Sequence, residues 1–251
     1  MNDFAGQSIV AAFVVFARVG GCLMLMPGFS SDRFPVQVRL FIAIALSLAV
    51  TPLVYDAVVK LVADGQPVTL LRVMVLEMMT GVTIGVMGRV FFVALETIGM
   101  AVSMSIGLSQ NIGAPIDEDQ PLPALTTLLT LGATALLFFT DLHLEILKAI
   151  AASYRMLPPG AGFSTQFALA QVSDKTAQAF MIALRLGSPF LIFSIVVNLA
   201  IGLTNRLVPA VQIFFISQPF LLLGGLLLLY FSIKPMLSMF IEAFGQFLVS
   251  G

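Results

Sequence analysis

Residues 68–107, VTLLRVMVLEMMTGVTIGVMGRVFFVALETIGMAVSMSIG, run for forty positions without a proline, and only Arg72, Glu77, Arg89 and Glu96 are charged. At 1.5 Å of rise per residue this is about 60 Å of helix, roughly twice the hydrocarbon core of a bilayer. The stretch is therefore expected to bend or to reach beyond the membrane, and a break near Gly99 would give two shorter helices. At about 100° per residue, Glu77, Gly81, Gly85, Gly88, Arg89 and Glu96 fall on one arc, roughly 120° wide. Small residues and charges on one face describe a helix packed closely against other helices. Gly99, Ser103 and Gly107 add a second series at four-residue spacing, which also permits close approach.

The rest of the chain has the same character. Its 251 residues are 59% hydrophobic and 10% charged, and the mean hydropathy is +1.05. Soluble domains carry roughly 25% charge, so the composition implies an integral membrane protein. A net charge of −1 argues against a nucleic-acid partner. The single cysteine, Cys22, excludes a disulfide framework and a cysteine metal site. The start, MNDF, is acidic where a signal peptide is basic, so the first apolar run is expected to be retained. Phe is abundant (22) and Trp absent, so the usual tryptophan belt at the lipid interface is missing.

About six apolar runs can be read. The first covers 4–26, contains Arg18 and is closed by Pro27 and Gly28. The second covers 40–62 and is interrupted by Pro52. The long stretch above is the third. The fourth, 122–140, passes into an amphipathic piece at 141–156 that ends at Pro158, Pro159 and Gly160. Residues 163–175 are polar enough for a surface loop or short helix. The fifth run is 177–203 and the sixth 211–233. The Arg206 and Pro209 break between them reads as the turn of a helical hairpin, over 204–209. Lys234 and Pro235 introduce a tail, 236–249, whose periodicity suggests an interfacial helix. Lys60, Arg72, Lys148, Arg155, Lys175 and Lys234 fall on one side of an even-numbered topology, and Arg33, Arg39 and Arg206 on the other. That bias favours cytoplasmic ends.

Arg18, Glu77, Arg89, Glu96 and Arg185 lie within apolar runs, where each charge costs a few kcal/mol. Ion pairing inside a bundle accounts for them structurally; an ion or proton pathway is the functional alternative. His143, the only histidine, lies between Asp141 and Glu145, but neither an HExxH pattern nor Cys/His metal spacing is present. A helix-end histidine is the simpler reading. No Walker loop, GxSxG elbow or dinucleotide fingerprint occurs, and no enzyme is expected. The most polar insert is 107–123, GLSQNIGAPIDEDQPLP. It carries Asp117, Glu118 and Asp119 with glycines and prolines that exclude regular helix.

The order of these features resembles the FliR family of flagellar export-gate proteins and its SctT-like type III secretion relatives. The resemblance rests on Arg18, Pro27, Pro35 and Arg39; on Glu77, Gly81 and Gly85; and on Gly99 to Gly107. It continues through Phe138, Phe139 and His143, then Ser153, Tyr154 and Pro158, and finally Arg185, Pro189, Asn198, Gly202, Arg206 and Pro209. Where the family commonly has Pro-Gln-Xaa-Asn-Xaa-Phe, this chain has Pro209, Ala210, Val211, Gln212, Ile213 and Phe214.

The resemblance implies an all-α bundle of about six hydrophobic segments, with a FliP-like part at 1–176 and a FliQ-like hairpin and tail at 177–251. It implies a non-enzymatic, cofactor-free gate subunit in the bacterial inner membrane, within the flagellar basal body. Its partners would be FliP-like and FliQ-like subunits, with FlhB-like and FlhA-like components. The gate would pass unfolded flagellar proteins. The mid-chain loop, with Gly107, Asn111, Gly113, Pro115, Asp117, Glu118 and Asp119, would plug the closed pore. Arg18, Glu77, Gly81, Gly85, Arg89, Glu96 and Arg185 would serve charge pairing and packing. Pro189, Asn198, Gly202, Arg206, Pro209 and Gln212 would form the hairpin and partner interface. The alternative is a secondary transporter with Glu77, Arg89, Glu96 and Arg185 around a midplane site, although no matching half-repeat is found. An intramembrane enzyme centred on His143 is a third reading.

Overall fold

Helix formation follows the apolar runs, and in four places it overrides an expected break. The computed structural model describes residues 2–30, 35–63, 66–108, 122–160, 164–207 and 213–250. These form α1 (Asn2–Leu23), α2 (Val36–Leu61), α3 (Pro67–Ser105), α4 (Ala124–Phe139), α5 (Leu142–Met156), α6 (Thr165–Leu207) and α7 (Ile213–Ser250). Among the described residues there is no strand. Helices α1, α2, α3, α6 and α7 are each long and apolar enough to cross a membrane, and α4 with α5, bent by 73°, makes a sixth span if counted as one. The fold is thus an all-α helical bundle of membrane type.

The expected break near Gly99 does not occur: α3 is one helix of 39 residues. A mid-helix glycine costs about 1 kcal/mol relative to alanine. Gly99 offsets this by packing, since a Cβ there would lie 3.2 Å from the Thr126 methyl. Nor does the polar stretch expected at 163–175 form a separate loop or short helix over its described part: 165 onward belongs to the 43-residue α6, and 163 lies outside the described residues. Ser164 starts that helix by accepting the Phe167 N–H on its hydroxyl at 3.3 Å, which satisfies one of the orphan donors of a helix N-terminus. At its other end α6 continues to Leu207, past the expected start of the hairpin turn at Thr204. Nor does Pro235 begin a separate tail, since α7 runs through Pro219 and Pro235 to Ser250. The face assigned to the lipid interface instead has Met236, Phe240, Phe244 and Phe247 buried in protein. Aromatic packing there offsets the lost backbone hydrogen bond and ring clash of an internal proline.

Two compact units are formed, each from separate stretches of chain: Met1–Phe91, Leu137–Ala177 and Phe244–Gly251, and Phe92–Leu136 with Gln178–Ala243. In the first, α1 packs along α2. The inward face of α2 carries Ala43, Ser47, Val50, Thr51, Val54 and Val58, at three- and four-residue spacing. The amphipathic α5 contributes Ile146, Ile150, Ser153 and Tyr154 on the same rule. Phe91 meets Phe244 and Phe247, with ring centroids 5.8 and 4.8 Å apart. The bend before α5 is made by Asp141, which sits in the left-handed region at φ 57°, a conformation that aspartate tolerates better than most residues.

In the second unit small residues set the helix spacing. Gly99 and the buried Ser103 face Thr126 of α4, with 3.5 Å between the two hydroxyls. A side chain at Gly187 of α6 would overlap Ile98, and one at Gly225 of α7 would overlap Ile106. Phe92 stacks edge-on against Phe240 at 5.2 Å.

Candidate functional site

The buried charge sits where α1 and α3 cross. A Cβ at Gly81 would overlap the Arg18 carbonyl, and one at Gly85 would stand 2.7 Å from the Cys22 carbonyl oxygen. One at Gly88 would overlap the Met26 sulfur. From the other side, a Cβ at Gly21 would be 3.0 Å from the Met78 carbonyl oxygen. The glycines bring the two backbones close enough for a long side chain from one helix to reach the first turn of the arc on the other.

That side chain is Arg18. It is 1% exposed and its partner Glu77 is 2% exposed. Arg18 Nε donates to Glu77 Oε2 at 2.6 Å and Nη2 donates to Oε1 at 3.0 Å. Nη1 donates to the Ser153 hydroxyl at 3.3 Å. The guanidinium lies 4.0 Å from the centroid of the Tyr154 ring, and the Tyr154 hydroxyl donates to the Val15 carbonyl at 3.3 Å. A fork-shaped, always-charged guanidinium is the cation best suited to a planar carboxylate and an aromatic face together. The arrangement ties α1, α3 and α5 into one polar junction. The only other ion pair among the described residues, Lys148 with Glu145, is exposed and local to α5, and contributes little.

The arc read along α3 divides at this junction. Glu77, Gly81, Gly85 and Gly88 are all buried. Arg89 is exposed and donates to the Ser30 hydroxyl at 3.2 Å. In the second unit Glu96 is half-buried and Arg185 exposed, and neither makes an ion pair among the described residues. Ser153 and Tyr154 entered the sequence reading only through the family resemblance. The α5 periodicity of Ile146, Ile150, Ser153 and Tyr154 is the signal that places them inward.

Gly107 proves to be a helix terminus. Its φ is +79°, its N–H bonds to the Met104 carbonyl at 3.3 Å, and the Leu108 N–H reaches back to the Ser103 carbonyl at 2.8 Å. This is the Schellman arrangement, with glycine in the left-handed position just past the helix. Asn111, Gly113, Pro115, Asp117, Glu118 and Asp119 lie outside the described residues, as do Arg33, Pro209 and Gln212. Of the other hairpin residues, Pro189 is half-buried inside α6. Asn198 is exposed and, among the described residues, bonds within its own helix, to the Ser194 hydroxyl at 3.1 Å. A Cβ at Gly202 would meet nothing within 4 Å among the described residues, and Arg206 is exposed in the last turn of α6.

His143 lies in the first turn of α5 with its ring 5.3 Å from that of Phe138. Its buried Nδ1 has no hydrogen-bond partner among the described residues. Among the described residues no three His, Cys, Asp or Glu side chains could hold a metal ion together. His143→Ala is expected to leave function intact and to shift the thermal midpoint by no more than about 4 °C, as for loss of a half-buried ring contact. Thermal unfolding of the purified chain, with a phenotypic assay of the variant strain, checks this. Loss of function with unchanged stability would restore the enzymatic reading.

A model of the family described as bacterial export proteins, family 1, matches residues 9–247. The chain is 32% identical over 252 residues to the flagellar biosynthetic protein FliR of Caulobacter vibrioides, covering 99% of this chain and 98% of that one. It is 25% identical over 228 residues to the flagellar biosynthetic protein FliR of Escherichia coli, covering 90% of this chain and 84% of that one. It is also 24% identical over 225 residues to the secretion system apparatus protein SsaT of Salmonella typhimurium, covering 87% and 85%.

Proposed function

Because the chain belongs to the bacterial export proteins, family 1, we propose that it is a subunit of the flagellar type III export gate. Its coarser role is that of a membrane-embedded component of a flagellar or type III export apparatus. At the finer level it helps to line the pore that passes unfolded flagellar proteins across the inner membrane. It does so with FliP-like and FliQ-like subunits, and with FlhB-like and FlhA-like components nearby. The observation that carries this reading is the whole-length likeness, 32% identity over 99% of the chain. The geometry supports it in kind: the buried polar groups at the α1–α3 crossing fasten helices to each other. Residues 1–176 act as the FliP-like part and 177–251 as the FliQ-like hairpin and tail. Asn198, Gly202 and Arg206, exposed on α6, are suited to a partner helix, and Pro189, Pro209 and Gln212 are assigned to the same hairpin and partner interface. Polar and small residues exposed on an apolar span are costly in lipid and favourable against another helix. Co-purification with FliP-like and FliQ-like chains tests the assignment. A functional monomer in lipid, moving solute by itself, would replace it with the transporter reading.

Within this reading the mid-chain loop plugs the closed pore. Gly107 ends α3 in a left-handed turn, and the acidic, Gly- and Pro-rich stretch follows it in the sequence. Deleting residues 111–120 is expected to make the assembled gate leaky to ions, measured as loss of membrane potential or uptake of a small dye. An intact assembly with unchanged permeability would remove the plug role.

A further inference from the structure

In the first unit a chamber of about 100 Å³ opens beside the Arg18–Glu77 pair. Glu77, Thr80 and Thr83 of α3 line one side, and Ser164, Ala168 and Gln171 at the start of α6 line the other. We propose that this chamber is a bound-water site that completes the hydrogen bonding of the Glu77 carboxylate and links it to the polar start of α6.

Three observations carry the proposal. An ionised carboxylate offers about four lone-pair sites. Arg18 fills one on each oxygen, and Glu77 makes no other hydrogen bond among the described residues. A buried ion pair is stable only when its remaining hydrogen-bonding capacity is met, and the chamber is the space from which water can meet it. The walls then supply the partners that water itself needs. The Thr80 and Thr83 hydroxyls donate to the Leu76 and Met79 carbonyls, at 2.9 Å each, which leaves their oxygens free to accept. The Gln171 amide is half-buried and makes no hydrogen bond among the described residues. Finally, the volume is sufficient. One water needs only about 10–15 Å³ of such space, and cavities stay dry when their lining is apolar. This lining is mixed: Leu76, Ile84, Met87, Leu157, Pro158 and Phe167 make most of it apolar, and a carboxylate, a guanidinium, three hydroxyls, of which Ser164 is exposed, and an amide supply the polar partners that a dry cavity lacks.

Filling the chamber tests the proposal by the sign of its effect. Ala168→Leu projects an isobutyl group into the space. If water occupies it, the leucine expels the water and strands Glu77, and the thermal midpoint of the full-length chain in detergent falls by about 4 °C or more. If the chamber is a dry void, the leucine fills it, and an unchanged or raised midpoint overturns the water site. Crowding also lowers stability, so the same change is made in the Arg18→Met/Glu77→Met background, where no charge needs hydration. There the leucine is expected to be neutral or stabilising; an equal fall in both backgrounds assigns the effect to crowding and overturns the proposal. Should the altered chains fail to fold, the unaltered chain decides the matter in a density map that resolves ordered water. Water density within about 3.2 Å of a Glu77 oxygen is expected, and an empty chamber in such a map overturns the proposal.

Discussion

Arg18→Met and Glu77→Met are each expected to destabilise the chain by about 3–5 kcal/mol, while the double change Arg18→Met/Glu77→Met costs far less than the two single costs added. Each single change leaves one full charge at the α1–α3 crossing, where the surviving group is about as inaccessible as the pair is now, at 1% and 2% exposure. The penalty is that of an uncompensated buried charge, which is larger than the net worth of the intact pair. Water in the neighbouring chamber softens the penalty but does not replace a bidentate counter-charge. Native domains are stable by only about 5–15 kcal/mol, so a loss of this size removes a large share of the margin. The single variants should therefore be depleted from membrane fractions and melt at a lower temperature. Arg18→Lys is expected to fall between, because an ammonium group keeps the charge and loses the fork and the flat face stacked on Tyr154. Thermal unfolding of the four chains checks the cycle. Additive single costs would show that Arg18 and Glu77 act independently, contrary to their 2.6 Å contact.

The sequence makes this junction legible from one side only. The α3 arc of Glu77, Gly81, Gly85 and Gly88 follows from helical geometry within a single stretch, and all four are buried. Their partners lie far along the chain: Arg18 is 59 positions from Glu77 and 135 from Ser153. Periodicity is a local signal and carries no information on which helix faces which. Arg89 and Glu96 share the same arc by helical geometry, but a 120° sector is wider than one helix contact. Boundaries failed for a related reason. Gly99 and Pro235 are breakers by intrinsic preference, but Thr126 packs against the first. Phe240 and Phe244, just after the second, are buried at 2% and 0% exposure. Tertiary packing outweighs a penalty of about 1–3 kcal/mol. The Ser164 cap was present in the sequence, but the polar residues after it resembled loop composition. The six apolar runs, in contrast, needed no partner information, and each became a helix or a bent helix pair.

Gly81→Ala is expected to be the most damaging glycine-to-alanine change among the described glycines. The added carbon would overlap the Arg18 backbone carbonyl. A flexible side chain can swing away from a new methyl, whereas a carbonyl in the middle of α1 moves only if the helix moves. Overpacking typically costs about 1–3 kcal/mol where side chains can adjust, and a contact with backbone is expected to reach or exceed the top of that range. Separating α1 from α3 would also lengthen the Arg18–Glu77 hydrogen bonds, so the two costs are coupled and will not add simply. The fair comparison is Gly202→Ala, another mid-helix glycine on an apolar span. A Cβ there meets nothing within 4 Å. In the isolated chain that change should follow intrinsic preference and stabilise by up to about 1 kcal/mol. The same chemical substitution thus carries opposite signs at two glycines, decided by what lies opposite each. Unfolding of the two purified variants reads the sign directly. If Gly81→Ala proves as harmless as Gly202→Ala, the close crossing of α1 and α3 does not exist as described, and the bidentate geometry of the ion pair falls with it. If Gly202→Ala stabilises the isolated chain yet reduces recovery of FliP-like or FliQ-like partners, the open glycine is the seat of a partner helix, because an added methyl can then obstruct only a neighbour from outside the chain.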